Sequence, residues 1–184
     1  MPKGTYIIES GIIKTYAITA NGEERIVAID TAGDDIPIGF TIGLVDRSRY
    51  FYEAASRCRV RIVPRADFMK HIINDHQSLL HRHVRLTKIL LTSLKHVEAL
   101  EQSKATEKVA MTLLYFAETL GSTFPNSTTR RLSITQQEIA DSLGVTRETT
   151  GSVLKKLELK KLLVRSRNTY VLYIDKLRKH VDKR

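Results

Sequence analysis

The segment from Ile134 to Glu158 carries polar side chains whose types and spacing suit the reading of nucleotide bases. Arg147 and Glu148 are adjacent, and Ser152 follows one helical turn later. An arginine can pair with O6 and N7 of guanine, and a glutamate can accept from N4 of cytosine. Because phosphates repel a carboxylate, a glutamate here needs a reason, and base reading supplies one. We therefore expect Arg147 and Glu148 to contact base edges in a DNA major groove.

Two cap signals around a glycine predict the helices that position these side chains. Thr135-Gln136-Gln137-Glu138 is a capping box, in which Thr135 and Glu138 each satisfy the main-chain amide of the other. Gly144 can take the left-handed conformation that ends a helix, and Thr146 is a candidate cap for the next helix. Two short helices joined by a tight, glycine-containing turn form a helix-turn-helix.

The second helix has an apolar face that sets which side chains point outward. Residues three, four and seven apart share a helix face. The inward residues with this spacing are Thr150, Val153, Leu154 and Leu157. Lys155 then projects outward beside Arg147, Glu148 and Ser152.

Two β-branched runs after this helix predict a hairpin with a basic tip. Leu162–Arg165 and Tyr170–Ile174 are joined by Ser166-Arg167-Asn168-Thr169. Such a wing would rest on phosphates, which position a protein on DNA without reading its sequence. The phosphate contacts predicted for the whole unit come from hydroxyl and basic side chains, namely Thr135, Thr146, Thr149, Lys155, Arg165 and Arg167.

The charge of the chain is unevenly distributed. The formal net charge is +10. Residues 1–102 contain 14 Lys and Arg against 12 Asp and Glu, whereas residues 103–184 contain 16 against 8. A basic half beside a nearly neutral half indicates a polyanionic partner, most often nucleic acid. A solubilising surface is the alternative.

Composition predicts a folded, cytoplasmic protein that does not enter a membrane. Hydrophobic residues make up 42% of the chain and charged residues 27%. We find no stretch near the roughly 20 apolar residues of a membrane span, and no secretory signal after Met1. The single cysteine, Cys58, cannot form an internal disulfide.

The first third of the chain has the short, β-branched runs of an antiparallel sheet protein. Gly11–Ile18 and Arg25–Ile29 flank Asn21-Gly22, a dipeptide that supplies the positive φ angles of a tight hairpin. A third strand is predicted at Cys58–Val63. These signals predict a small antiparallel barrel or sandwich.

Longer helices follow, and one of them has apolar residues on more than one face. It runs from about Gln77 to Gln102, after a short helix near Phe68. One apolar side can pack on its own domain and the other is a candidate dimer seam, with Leu79, Leu86, Leu90, Leu94 and Val97 at the interface. A single-chain core helix is the alternative. A helix at Thr106–Gly121 and a polar loop at Ser122–Thr129 come next.

Thr146 to Leu157 resembles the recognition-helix signature of the Crp/Fnr superfamily, the cyclic-AMP receptor and fumarate-nitrate regulator type. The order of elements is similar along nearly the whole chain. The resemblance implies an α+β fold with three parts: a cupin-like, truncated β-roll at 1–75 that lacks the usual first strands, a dimerisation helix at 76–103, and a winged helix-turn-helix at 104–184. It implies base contacts by Arg147 and Glu148, and a third base contact one turn later at Ser152. Because the family usually has arginine at that third position, it also implies a changed target site. Contacts with RNA polymerase are implied as well.

The sensor part departs from the family's cyclic-nucleotide binders. Those binders carry a Gly-Glu pair, then an Arg-Ser pair followed by a small residue. Here Gly39–Gly43 contains no glutamate, and Arg49-Tyr50 follows Arg47-Ser48. The resemblance therefore implies a sensor of another type with an unidentified effector. A cyclic-nucleotide or other small-ligand sensor, with the helix-turn-helix serving only protein contacts, is the alternative function.

Metal, cofactor and enzyme functions find little support in the sequence. His76, His81 and His83 are five and two residues apart and do not share a helix face well, so we expect them at a surface or interface. One cysteine cannot hold an iron–sulfur cluster. No glycine-rich phosphate loop, nucleophile motif or paired carboxylates are present. The sequence predicts a homodimeric regulator that binds double-stranded DNA at palindromic sites, with no metal and no cofactor.

Overall fold

The computed structural model describes residues 2–123 and 128–182. The chain divides into two compact units, Met1–Leu90 and Leu91–Arg184. The strands are β1 Thr5–Ser10, β2 Ile12–Ile18, β3 Glu24–Thr31, β4 Asp35–Ile36, β5 Phe51–Ala54, β6 Arg59–Val63, β7 Ser122–Thr123, β8 Thr129–Ser133, β9 Leu163–Ser166 and β10 Thr169–Tyr173. The helices are α1 Ile38–Thr41, α2 Arg65–Asn74, α3 His76–Glu101, α4 Ala105–Thr119, α5 Gln136–Leu143, α6 Arg147–Leu159 and α7 Ile174–Val181.

The first unit contains two three-stranded antiparallel sheets with an apolar core. Their strand orders are β4-β1-β6 and β3-β2-β5. Ile8, Ile13 and Ile36 form a buried cluster. The predicted α+β class and antiparallel sheets are confirmed. The sequence did not predict β5, because Phe51–Ala54 follows a polar run rich in arginine and carries no turn signal of its own.

The hairpin between β2 and β3 was predicted, but its turn differs from the expected one. Gly22 has a φ of 79°, and Asn21 is not among the residues with positive φ. The amide of Gly22 donates to the carbonyl of Thr19 at 2.9 Å, and Ile18 pairs with Glu24. The connection is therefore a five-residue loop that needs only one left-handed residue, whereas a two-residue turn of type I′ needs two.

Two ion pairs tie the first half of α3 to the segment around β4 within the first unit. Arg82 is buried and pairs with Asp35, while Arg85 pairs with Asp34. The guanidinium of Arg82 also lies over the ring of Phe68, 5.4 Å from its centroid. The two ion pairs join residues 47 and 51 positions apart, which no local pattern could have predicted.

The second unit is built around α4 and a four-stranded antiparallel sheet. The strand order is β7-β8-β10-β9, and α4 packs against α5, α6 and α7. The helix predicted for Thr106–Gly121 is present and ends at Thr119. A β-carbon on Gly121 would lie 2.3 Å from the carbonyl oxygen of Ala117, so only glycine fits there.

Two local predictions for the second unit were wrong or lie partly outside the described residues. The predicted polar loop begins with β7 and ends in β8, and residues 124–127 between them are outside the described part of the chain. Ile174 opens α7 rather than ending a strand, because its side chain is buried together with Leu177.

None of the described helices has the length and apolar character required to cross a bilayer.

Candidate nucleic-acid interface

The capping box predicted at the start of α5 is confirmed. The hydroxyl of Thr135 accepts from the amide of Glu138 at 3.1 Å, and the Glu138 carboxylate accepts from the Thr135 amide at 2.8 Å. The same carboxylate accepts from the Thr135 hydroxyl at 2.7 Å. The amide and the hydroxyl of Thr135 are therefore both engaged within the cap. The phosphate contact predicted for this residue would have to share one of these two groups.

The turn between α5 and α6 has the predicted geometry. Gly144 has a φ of 66°, the left-handed conformation that ends α5. The hydroxyl of Thr146 then caps α6 by accepting from the amide of Thr149 at 3.1 Å, and the two threonine hydroxyls are 2.9 Å apart. Thr146 and Thr149 are both exposed at the N-terminus of α6, where the helix dipole favours an anion.

The two faces of α6 are divided as the apolar spacing predicted. The buried residues are Thr150, Val153, Leu154 and Leu157. The exposed residues include all the predicted outward ones, Arg147, Glu148, Ser152 and Lys155. Their positions along the helix place them on one continuous solvent-facing surface. The structure therefore brings together the predicted base readers, and their contact with bases stays a prediction.

The predicted wing is the hairpin of β9 and β10, with Arg167 exposed at its tip. Arg167 has a φ of 50°. Arg165 is half-buried, and its Nε donates to the carboxylate of Glu158 at 2.7 Å. The two arginines predicted to contact phosphates thus differ, since the guanidinium of Arg165 already has an anionic partner.

Two contributors to the shape of this surface were not predicted. The side-chain amide of Gln136 donates to the main-chain carbonyl of Arg147 at 2.5 Å, and Glu158 holds the start of β9. The sequence signal for the Gln136 contact was Gly151 in the middle of α6. Glycine is unfavourable inside a helix, so its presence there indicates that a neighbouring group needs the space.

The predicted dimer residues on α3 are mostly exposed. The relative exposures are 46% for Leu79, 60% for Leu90, 55% for Leu94 and 52% for Val97, and Leu86 is half-buried. A helix that leaves several leucines in solvent is expected to bury them against a partner. The predicted surface histidines His76, His81 and His83 are exposed.

The first unit contains two adjoining cavities of about 520 and 430 Å³. Both are lined by Ile36, Pro37, Arg47, Ser48, Tyr50 and Tyr52. The smaller one is also lined by Asp30, which is only 5% exposed and accepts from the Thr15 hydroxyl at 2.5 Å. Burial raises the pKa of Asp30 to about 6, against the opposing effect of the Thr15 hydrogen bond.

A capped helix-turn-helix followed by a hairpin in an antiparallel sheet defines a winged helix-turn-helix domain. The family model described as a Crp-like helix-turn-helix domain matches residues 107–180. Together with the antiparallel strands and the long helix that precede it, this domain gives the architecture of the Crp/Fnr regulators.

The chain is similar to curated transcription regulators and to solved structures. The transcriptional activatory protein AadR of Rhodopseudomonas palustris is 30% identical over 161 residues, which are 86% of this chain and 65% of AadR. The cAMP-activated global transcriptional regulator CRP of Pasteurella multocida is 26% identical over 91% of this chain and 80% of CRP. The solved structure of FixK2 from Bradyrhizobium japonicum superimposes with a TM-score of 0.73 at 24% identity, over 95% of this chain and 85% of that one.

Residues 107–180 belong to the Crp-like helix-turn-helix family, and over most of its length the chain is similar to transcription regulators of the Crp/Fnr type. The relatives are named as regulators and not as enzymes. The chain spans less than two thirds of the length of AadR, at 65%.

Proposed function

We propose that this chain is a cytoplasmic, sequence-specific DNA-binding transcription regulator that acts as a homodimer on palindromic promoter sites. The observation that carries the proposal is the exposed surface of α6, where Arg147, Glu148 and Ser152 stand side by side on a helix capped by Thr146. Arginine and glutamate have complementary preferences for guanine and cytosine. The predicted change of target site rests on Ser152, whose short side chain cannot reach a guanine as an arginine would.

The basic surroundings of this face support binding to a polyanion. Lys155 and Lys156 are exposed on α6, and Arg167 is exposed at the tip of the wing. Lysine and arginine beside phosphates release condensed counterions, so binding should weaken steeply with salt. These contacts position the duplex, and the three residues of α6 would specify its sequence.

The homodimer is supported by the exposed leucines of α3. Two copies of a winged helix would read two half-sites about one helical turn apart, so a two-fold dimer predicts a palindrome. Contacts with RNA polymerase are part of the proposal through the family alone, and no residue is assigned to them.

In-vitro selection of DNA sites with the purified protein tests the proposal, followed by binding to the selected site and to a scrambled duplex. Arg147→Ala should weaken binding to the selected site on the order of tenfold or more, with a smaller effect on the scrambled duplex. Arg57→Ala is a matched control, because it removes the same charge from an exposed position in the first unit. Equal weakening on both duplexes would mean that Arg147 contacts phosphate and does not read a base.

A second candidate role, a small-ligand sensor, is favoured by the cavities of the first unit. We propose that the effector is not a cyclic nucleotide. The helix α1, at the position of the expected ribose contact, contains no carboxylate. Arg47 and Arg49 line the smaller cavity, but the buried carboxylate of Asp30 in the same wall would repel a cyclic phosphate placed beside it. Calorimetric titration with cyclic AMP should therefore show no binding at millimolar ligand, and saturable binding would refute this part of the proposal.

A further inference from the structure

A side chain of α5 crosses the turn and contacts the first residue of α6. Gln136 is the first residue of α5, and its Nε2 donates to the carbonyl oxygen of Arg147 at 2.5 Å. That carbonyl belongs to the first residue of the helix that carries the predicted base readers. The hydrogen bond therefore connects the two helices at the end where α6 would enter a groove.

Gly151 makes room for this contact. A β-carbon built on Gly151 would lie 2.5 Å from Nε2 of Gln136, 3.2 Å from its Cδ and 3.3 Å from its Oε1. The first distance is shorter than real β-carbon contacts, and the other two are tighter than most, so the flexible Gln136 side chain would have to shift. A side chain at position 151 would therefore push the Gln136 amide away from the Arg147 carbonyl.

The conformation of the backbone does not explain a glycine at this position. Gly151 is not among the glycines with positive φ, and it lies in the interior of α6, with four residues of the helix before it. Glycine in a helix interior costs about 1 kcal/mol relative to alanine. The close approach of Gln136 is the feature that requires it.

We propose that Gln136 and Gly151 together position the first turn of α6, and so determine DNA specificity without either residue touching a base. This inference rests on the proposed function. Hydrogen bonds to base edges weaken steeply with distance and angle, whereas contacts of flexible lysines with phosphates tolerate small shifts. Loss of the Gln136 contact should therefore reduce the preference for the selected site more than it reduces binding to DNA in general.

The test compares the wild-type chain with Gln136→Ala, Gly151→Ala and the double variant. Gln137→Ala is the matched control, because Gln137 is the next residue and its amide bonds to Asp141 within α5. Dissociation constants are measured for the selected site and for a scrambled duplex of the same length at one salt concentration, and melting temperatures are recorded for every variant.

Each single variant should lower the ratio of specific to non-specific affinity on the order of tenfold. Non-specific affinity should stay within about twofold, since no phosphate contact is removed. Gln137→Ala should leave the ratio unchanged. The double variant should be no worse than Gln136→Ala, because a β-carbon at position 151 then meets no amide. Should Gly151→Ala not fold, the Gln136→Ala variant still decides the matter.

Several results would overturn the inference. Equal losses on both duplexes would show that Gln136 contacts phosphate. Additive losses in the double variant would show that Gly151 is needed for another reason, such as close approach of the DNA backbone. An unchanged ratio of specific to non-specific affinity for Gln136→Ala would contradict the proposal directly. In each case the wild-type protein still prefers its selected site, whereas failure of the proposed function would appear as a wild-type protein with no preferred site.

Discussion

Glu158 holds Arg165 through two hydrogen bonds, one to the main chain and one to the side chain. Its Oε1 accepts from the Arg165 amide at 3.1 Å, and its Oε2 accepts from Nε at 2.7 Å. The last turns of α6 are thereby fixed to the first strand of the wing. In the proposed complex the same carboxylate would compete with DNA for the Arg165 guanidinium. The pair would therefore affect both the position of the wing and the positive charge that it offers to phosphates.

The Glu158→Gln variant should bind DNA more tightly in general and depend more on salt. The substitution keeps a side chain able to accept a hydrogen bond but removes the charge that engages Arg165. With one more phosphate neutralised, the slope of log affinity against log salt should steepen by about 1. This slope is measured from binding to a scrambled duplex at several salt concentrations. Arg167→Ala should change the slope in the opposite direction by a similar amount, and an unaltered slope in Glu158→Gln would mean that Arg165 makes no phosphate contact.

The Thr135→Ala variant should lower the free energy of unfolding by about 1 kcal/mol, because it removes the side-chain half of the capping box. Urea denaturation followed by circular dichroism measures the effect. Gln137→Ala serves as the control, since it changes an exposed residue of the same helix without affecting its cap. Equal stability of Thr135→Ala and Gln137→Ala would contradict a stabilising role for the cap.

The Leu94→Lys variant should shift the protein from dimer to monomer. A lysine on the exposed apolar side of α3 would place a charge in the proposed seam, where its desolvation is unfavourable. Sedimentation equilibrium measures the mass. Leu44→Lys is the control, because Leu44 is 77% exposed and lies outside α3. If the Leu94→Lys protein remained a dimer, the dimer interface would lie elsewhere.

The Asp30→Asn variant should gain stability relative to the wild type as the pH rises. Burial raises the pKa of Asp30 from 3.8 to about 6. The folded state therefore holds a proton that the unfolded state has released, and folding becomes less favourable between these two values. The difference in free energy of unfolding between Asp30→Asn and the wild type should grow from pH 4 to pH 6, reach at most about 3 kcal/mol, and stay constant at higher pH. Thermal melts from pH 4 to pH 8 test it, with Asp46→Asn in an exposed loop as control.

His96 should give the opposite trend in the second unit. Its side chain is buried beside the ring of Tyr115, 4.9 Å between centroids, and burial lowers its pKa although a hydrogen bond to the main chain of Ser142 opposes the shift. Because protonation is disfavoured in the folded state, stability should fall as the pH drops through the unfolded value of about 6.5. His96→Gln should flatten this loss in melts between pH 7.5 and 5, and His76→Gln at an exposed position should not.

The helix-turn-helix could be predicted closely because its signals are local. The capping box spans four residues, the stop at Gly144 needs only its own left-handed φ, and the buried side of α6 follows from a 3.6-residue period. The dependence on local signals also explains which predictions were wrong. Asn21-Gly22 was assigned a shorter turn than the strand register allows, and β7 and β8 are visible only through their pairing with each other and with β10.

Local sequence signals were enough to predict where each helix of the DNA-binding unit begins and which of its side chains face solvent. Folding sets the contacts between distant elements, such as Gln136 with the Arg147 carbonyl and Glu158 with Arg165 in this unit, and Arg82 with Asp35 in the first unit. Helix periodicity and caps depend on neighbours within about four positions. A contact across a turn or between a strand and a helix depends on how whole elements pack, and that distance is fixed only when the chain has folded.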